Sequence, residues 1–223
     1  MLQGARHEHA EALYNAAMEL GVDVDVIPLR SEIDEFDLKL DGLILPGGES
    51  TTMRKASENH GLLSSIFSFI DNNPQIPILG TCAGAILLMD PKMGRNSYVN
   101  AQVDRNAYGS QKDSFQVKLT VKNLNIPPIQ NEGITNSNFI EGNHKPLVIG
   151  ENIELEGDEF FPGVFIRAPK FTNIGQTVKK IVMHDEEVVG LMEKNMLLLS
   201  FHPELTTDYR FHRWLLSKAI EQK

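Results

Sequence analysis

Cys82 is the only cysteine in the 223-residue chain. It stands in Gly80-Thr81-Cys82-Ala83-Gly84, after the apolar run "IPILG" and before the helical pattern "AGAILLMD". G-x-C-x-G at a strand-to-helix junction is the nucleophile-elbow pattern with sulfur in place of oxygen. The sharp turn strains the nucleophile's backbone, and small flanking residues leave it room. The helix that follows aims its free N–H groups and positive dipole end at the sulfur, which favours the reactive thiolate. A lone cysteine is otherwise most often buried and inert. The glycines and the junction are what favour a nucleophile here.

A cysteine nucleophile needs a base, and the base needs an orienting partner. The chain has seven histidines. His202 stands out, because it follows the buried-strand pattern "NMLLLSF" and heads "HPEL". An α/β fold presents its active-site side chains at such strand ends. Glu204 lies two residues on, and residues i and i+2 of an extended segment share a face. Its carboxylate can fix the tautomer of His202 and steady its charge. Read alone, His-Pro-Glu is more often a strand-ending turn than a catalytic pair. The third piece is "LPGGES", residues 45–50. Gly47 and Gly48 allow backbone conformations closed to other residues. Their N–H groups could face a developing oxyanion, worth roughly 3–4 kcal/mol per good donor. A plain turn or a phosphate-cradling loop are the other readings, but no G-x-x-x-x-G-K-[ST] pattern is present. "HEH" at 7–9 invites a metal-binding reading, yet i and i+2 on a helix point apart.

These residues must be positioned by elements, and the pattern names them. "ARHEHAEALYNAAMELG" reads as an amphipathic helix ending at Gly21. "VDVDVIPL" alternates and reads as a strand. "DGLIL" is a short strand entering the glycine turn, and "TTMRKASENHGLLSSIFSFIDNN" is helical with a break at Gly61. "PQIPILG" is a buried strand and "AGAILLMD" opens a helix. Alternating β and α favours a parallel sheet covered by helices on both faces. The second half differs. "VNAQVDRNAYG", "DSFQVKLTV" and "GVFIRAP" read as strands, the last stopped by Pro169. "KKIVMHDEEVVGLMEKNMLLLSFHPEL" reads as two or three more. "TTDYRFHRWLLSKAIEQK" closes as a helix with a Thr cap and Asp208 in its first turn. The fold expected is α/β, with a mostly parallel central sheet flanked by helices and an antiparallel extension, in one domain spanning residues 1–223.

The bulk composition bounds the function. A net charge of −9 argues against non-specific nucleic-acid binding, which needs a basic footprint. No apolar run reaches the ~18 residues that span a bilayer. The N-terminus lacks the apolar segment of a signal peptide. One cysteine forms neither an internal disulfide nor a zinc-thiolate cluster, so a reducing cytosol is the expected compartment.

The motifs LPGGES, GTCAG and SFHPEL, in that order, resemble those of class I glutamine amidotransferases. "LQGARHEH", "DGLILPGGESTTMR", "VDRNAYGSQKDSF", "GVFIRAP" and "SFHPELTTDYR" further resemble the glutaminase subunits of pyridoxal 5′-phosphate synthase. The resemblance implies hydrolysis of L-glutamine to glutamate and ammonia. Cys82 would form a γ-glutamyl thioester, His202 would act as base and then acid, and Glu204 would orient His202. Gly47 and Gly48 would supply the oxyanion hole and part of the L-glutamine site, with Glu49, Ser50, Arg105, Ile166 and Arg167 as further substrate contacts. An arginine suits the α-carboxylate of glutamine. No cofactor and no metal is implied. The implied partner is a (β/α)₈-barrel synthase subunit that receives the ammonia and switches the glutaminase on, with the N-terminal region and first helix in the docking surface.

Two departures from the family pattern stand out. A short apolar strand precedes "LQG" in the family, whereas this chain begins Met1-Leu2-Gln3-Gly4, which reads as a truncated or misassigned start. Loss of such a strand would expose its neighbours' edges. Residues 123–160 read as an insertion of roughly 30 residues, long for a loop in a compact domain, and their acidic residues read as solvated surface. Two other functions fit the same pattern: an amidotransferase or hydrolase serving another acceptor, and an inactive regulatory subunit.

Overall fold

The computed structural model describes residues 4–29, 39–58, 61–105, 114–130 and 155–222. The chain runs α1 (Arg6–Leu20), β1 (Leu43–Leu45), α2 (Ser50–Glu58), α3 (Leu62–Asn72), β2 (Ile78–Thr81), α4 (Ala83–Met89), β3 (Gln102–Asp104), β4 (Ser114–Val121), β5 (Phe160–Ile166), β6 (Lys170–Thr172), β7 (Lys179–His184), β8 (Glu187–Glu193), β9 (Met196–Leu199) and α5 (Arg210–Ile220). A single 3₁₀ turn, Pro203–Leu205, joins β9 to α5.

Seven strands form one sheet in the order β1-β2-β9-β8-β7-β4-β5, and β3 pairs with β6 in a separate antiparallel ribbon. β1, β2 and β9 are parallel. The pairings from β9 outward to β5 are antiparallel. The expected α/β sheet is therefore present, with a parallel part of three strands and an antiparallel extension larger than the sequence suggested. The difference arises in the second half, where short turns such as Asp185-Glu186 and Lys194-Asn195 join neighbouring strands. Such connections can make only antiparallel pairs.

Two apolar clusters form the core. One packs Leu63, Phe67, Leu87 and Leu88 of α3 and α4 with Leu45 and Ile78. The other packs Ala16 of α1 and Trp214 of α5 with Phe161, Phe201 and Leu197. The strands β2 and β9 are buried throughout, as strands covered on both faces must be.

Helix ends follow the local chemistry. Gly21 closes α1 with φ 66°, its amide donating to the Met18 carbonyl. Gly61, φ 64°, separates α2 from α3. Two expectations need correction. Residues 22–29 are not a strand. Val22, Val24 and Val26 alternate inward, but no ladder joins this segment to β1 among the described residues, and the segment and β1 instead line a cavity of about 500 Å³. Alternation marks a two-faced extended segment, and only a hydrogen-bonded neighbour makes it a strand. Asp208 lies before α5 rather than in its first turn. Its Oδ1 accepts from the Arg210 amide at 3.0 Å, while Thr206 Oγ1 accepts from the Asp208 amide. Most of the expected 123–160 insertion, and the "NAYG" part of the expected strand at 99–109, lie outside the described residues.

Candidate active site

The site is built where three parallel strands end together. Leu45 pairs with Gly80, and Thr81 pairs with Leu199. The residues just beyond are therefore neighbours: Pro46-Gly47-Gly48 after β1, Cys82 after β2, and His202 after β9. This is the edge at which open α/β sheets bind ligands.

Cys82 sits between β2 and α4 with φ 45° and ψ −105°. Positive φ is strained for a side chain of this kind and is typical of a functional turn. The turn is pinned by its amide, which donates to the Leu199 carbonyl at 2.8 Å, and by close packing beneath it. A Cβ on Gly84 would stand 1.8 Å from the Leu45 carbonyl oxygen, so only glycine lets α4 lie this close to β1. Cys82 is 4% exposed. Its thiol points to the Ile166 carbonyl at 3.9 Å.

His202 is held by its amide, which donates to the Val164 carbonyl at 2.8 Å. β5 is the far strand of the sheet order, so the sheet must coil strongly to bring Val164 and Ile166 back to β9 and Cys82. His202 Nδ1 lies 2.8 Å from Glu204 Oε1. Glu204 lies in the 3₁₀ turn and is 4% exposed. With Nδ1 taken by Glu204, Nε2 is the nitrogen left to face the sulfur. Burial works to lower the pKa of His202, but Glu204 and then Cys82 outweigh it and raise it to about 10. Burial likewise opposes the charge on Glu204, and the imidazoles of His9 and His202 hold its carboxyl well below the usual range. The pair therefore rests as carboxylate and imidazolium.

Gly47 lies under the ring. A Cβ there would meet His202 Cε1 at 2.4 Å. Its carbonyl accepts from the Ala5 amide at 3.2 Å, which ties the N-terminal segment to the same loop. Gly48 and Glu49 are exposed and Ser50 is buried at the start of α2. The Glu49 carboxylate accepts from the Thr51 amide at 3.0 Å and the Thr52 amide at 2.6 Å, and the hydrogen bonds from Thr52 and Thr51 hold it ionised with a pKa of about 2. Its oxygens thus secure the start of α2. Ile166 borders Cys82, and Arg167 follows it, exposed and with φ 48°. Arg105 is engaged elsewhere. Its Nη2 donates to Asp90 Oδ2 at 2.7 Å, at the opposite end of α4 from Cys82.

The sequence pattern gave little sign of a polar cluster behind Glu204. His9 of α1, Thr81 and His212 of α5 are all buried there. His7 and His9 do part company, as helix geometry requires: His7 is exposed and accepts from Arg6 at 3.0 Å, whereas His9 faces the core. The signal for the cluster was weak, since a histidine on an amphipathic helix reads as surface or core with equal ease. Among the described residues no group of three or more His, Cys, Asp or Glu side chains could hold a metal, and no helix is long and apolar enough to cross a membrane.

The fold is that of a glutamine amidotransferase. A solved structure described as a glutamine amidotransferase superposes with a TM-score of 0.68 at 32% identity, covering 98% of this chain and 95% of that one. A putative GMP synthase component from Thermoplasma acidophilum shares the fold at 20% identity and a TM-score of 0.52, covering 95% of this chain and 86% of its own. The model of the SNO glutamine amidotransferase family matches residues 1–144 and 148–221, and the chain belongs to that family. It is 36% identical to the pyridoxal 5′-phosphate synthase subunit PdxT of Thermococcus onnurineus, over 98% of this chain and 96% of the relative. It is 32% identical to the PdxT subunit of Brevibacillus brevis, over 100% and 96%.

Proposed function

We propose that the chain hydrolyses L-glutamine to glutamate and ammonia at Cys82, as the glutaminase subunit of a pyridoxal 5′-phosphate synthase. The observation that carries this reading is the buried line from Glu204 through His202 to Cys82, set at the ends of β2 and β9. The thiolate is the attacking form of a cysteine. The thiolate attacks the side-chain amide carbon of glutamine, and the carbonyl oxygen becomes an oxyanion facing the Gly47-Gly48 loop. His202 gives its Nε2 proton to the departing nitrogen, and the C–N bond breaks. Ammonia leaves, and a γ-glutamyl thioester stays on Cys82. Neutral His202 then takes a proton from water, whose oxygen attacks the thioester. The C–S bond breaks and glutamate leaves. Glu204 keeps the ring in the Nδ1–H tautomer through both steps.

Glu49, Ser50, Ile166 and Arg167 frame the substrate, with Arg167 on the α-carboxylate. Arg105 joins them only by giving up Asp90, so it serves as a secondary contact. The ammonia passes to a (β/α)₈-barrel synthase subunit, and the reaction belongs in the cytoplasm. The test is glutamate release from glutamine by this chain, alone and with the barrel subunit from the same source. Release that rises on addition and vanishes in Cys82→Ala supports the reading. Release that persists in Cys82→Ala would overturn it.

A further inference from the structure

His9 takes no part in the thioester chemistry, yet it lies directly behind Glu204. It sits on the inner face of α1, 3% exposed. Its Nε2 is 3.4 Å from Glu204 Oε2 and 3.0 Å from Thr81 Oγ1. Its Nδ1 is 3.0 Å from Nε2 of His212, which is fully buried on α5. Glu204 spends Oε1 on His202, and Oε2 is buried without a hydrogen bond of ordinary geometry. A buried carboxylate oxygen is costly to leave bare, so a donor facing it matters more than usual.

The tautomers follow from counting donors. Suppose His9 carried its proton on Nδ1 and donated to His212. His212 would then hold its own proton on Nδ1, an atom that has no partner, and Glu204 Oε2 would face a bare lone pair. With the proton on Nε2, His9 turns an N–H to Thr81 Oγ1 and presents its positive edge to Glu204 Oε2, 3.4 Å away. Its Nδ1 then accepts from His212 Nε2–H, and the unmet groups are the acceptor Nδ1 of His212 and the neutral hydroxyl proton of Thr81. The second arrangement is favoured because the groups it leaves unmet are neutral, whereas the first turns a lone pair on a buried carboxylate oxygen.

We infer that His9 is a positioning residue for the glutaminase reaction: its Nε2–H steadies the second oxygen of Glu204, and Glu204 in turn fixes His202 against Cys82. The inference rests on the Cys82–His202–Glu204 reading. The titratable groups that face His9 are Glu204 and His202 beyond β9, His212 on α5 and Glu8 on its own helix. Burial, the largest influence on His9, lowers its pKa. It therefore acts as a neutral dipole and leaves the positive charge to His202.

The test uses the complex with the synthase subunit. His9→Leu removes the donor, and His9→Asn keeps a polar group toward His212 but falls short of Glu204. His9→Gln places an amide N–H near the lost Nε2 position. In both His9→Leu and His9→Asn kcat should fall roughly 10- to 100-fold with KM within about twofold, the scale on which orienting partners of histidine act. His9→Gln should recover most of the rate. The downfield proton resonance of His202 Nδ1–H should move in His9→Leu and His9→Asn and stay in place in His9→Gln. Should His9→Leu fail to fold, His9→Asn against His9→Gln still decides. An unchanged kcat in His9→Asn, or a loss in His9→Gln as large as in His9→Asn, would overturn the inference while leaving the site reading intact. A wild-type complex no more active than Cys82→Ala would overturn both.

Discussion

Gly47 has no side chain because the His202 ring occupies the space one would need. In Gly47→Ala the methyl would stand 2.4 Å from Cε1, and the ring must move. A displacement near 1 Å costs on the order of 100-fold in rate, so glutamate release should fall by that factor while the circular dichroism spectrum is unchanged. Undiminished release would place the working imidazole elsewhere. Arg167 and Arg105 make a second contrast. Arg167 is exposed beside Ile166, whereas Arg105 is bound to Asp90. A charged hydrogen bond is worth roughly 1.5–3 kcal/mol, so Arg167→Ala should raise the KM for glutamine about 10- to 100-fold, and Arg105→Ala should raise it less. Steady-state kinetics on both variants checks the order. At this scale the sequence was informative where chemistry leaves a local mark. Cys82 between glycines and His202-Pro203-Glu204 after an apolar strand are legible, because turn and nucleophile must be adjacent in the chain. His9 is not, because its partners Thr81, Glu204 and His212 come from distant segments that only the fold brings together.

The elements that hold these residues are short, and their close packing sets the geometry. α4 spans seven residues and β1 three. They meet through Gly84, whose place against the Leu45 carbonyl has no room for a methyl. Gly84→Ala should destabilise the protein by about 1–3 kcal/mol, as overpacking does. For a chain of this size that lowers Tm by about 2–4 °C per kcal/mol, measurable by thermal unfolding. An unshifted Tm would show that α4 and β1 are not in such close contact. The helices and central strands could be read from periodicity, since α1, α3 and α5 each carry one apolar face and β2 and β9 are continuous apolar runs. β3 lies inside the 99–109 segment that reads as a strand, but its partner β6 could not be read, because three residues carry too little pattern. Residues 22–29 misled for the opposite reason: their alternation is real, but a strand is defined by a partner that no local pattern reveals.

Over the whole molecule, burial of imidazoles links stability to pH. His212 is fully buried and its pKa falls to about 3, and burial lowers that of His9 as well. Both bind protons more readily when unfolded, at the ordinary value of 6.5. Their contribution is complete above about pH 6.5 and is lost as pH falls below it, at up to about 1.4 kcal/mol per pH unit for each. Glu204, held low, adds its loss only below its ordinary 4.5. His202 acts in the other direction, since its raised pKa stabilises the fold below 6.5 and that stability drains away toward pH 10. Denaturant midpoints should therefore fall between about pH 7 and pH 5, and less steeply in His212→Phe, which removes one of the two imidazoles. A wild-type midpoint that stays level over that range would contradict the neutral state of the pair.

The decisive measurement is the mass of the chain quenched during turnover with glutamine in the presence of the synthase subunit, followed by mapping of the modified peptide. An acyl group passing through Cys82 predicts a fraction of the chain heavier by one glutamyl unit, located on the peptide that holds Cys82 and absent in Cys82→Ala. Steady glutamate release in which the glutamyl unit maps to another residue, or in which Cys82→Ala turns over at the wild-type rate, would contradict it.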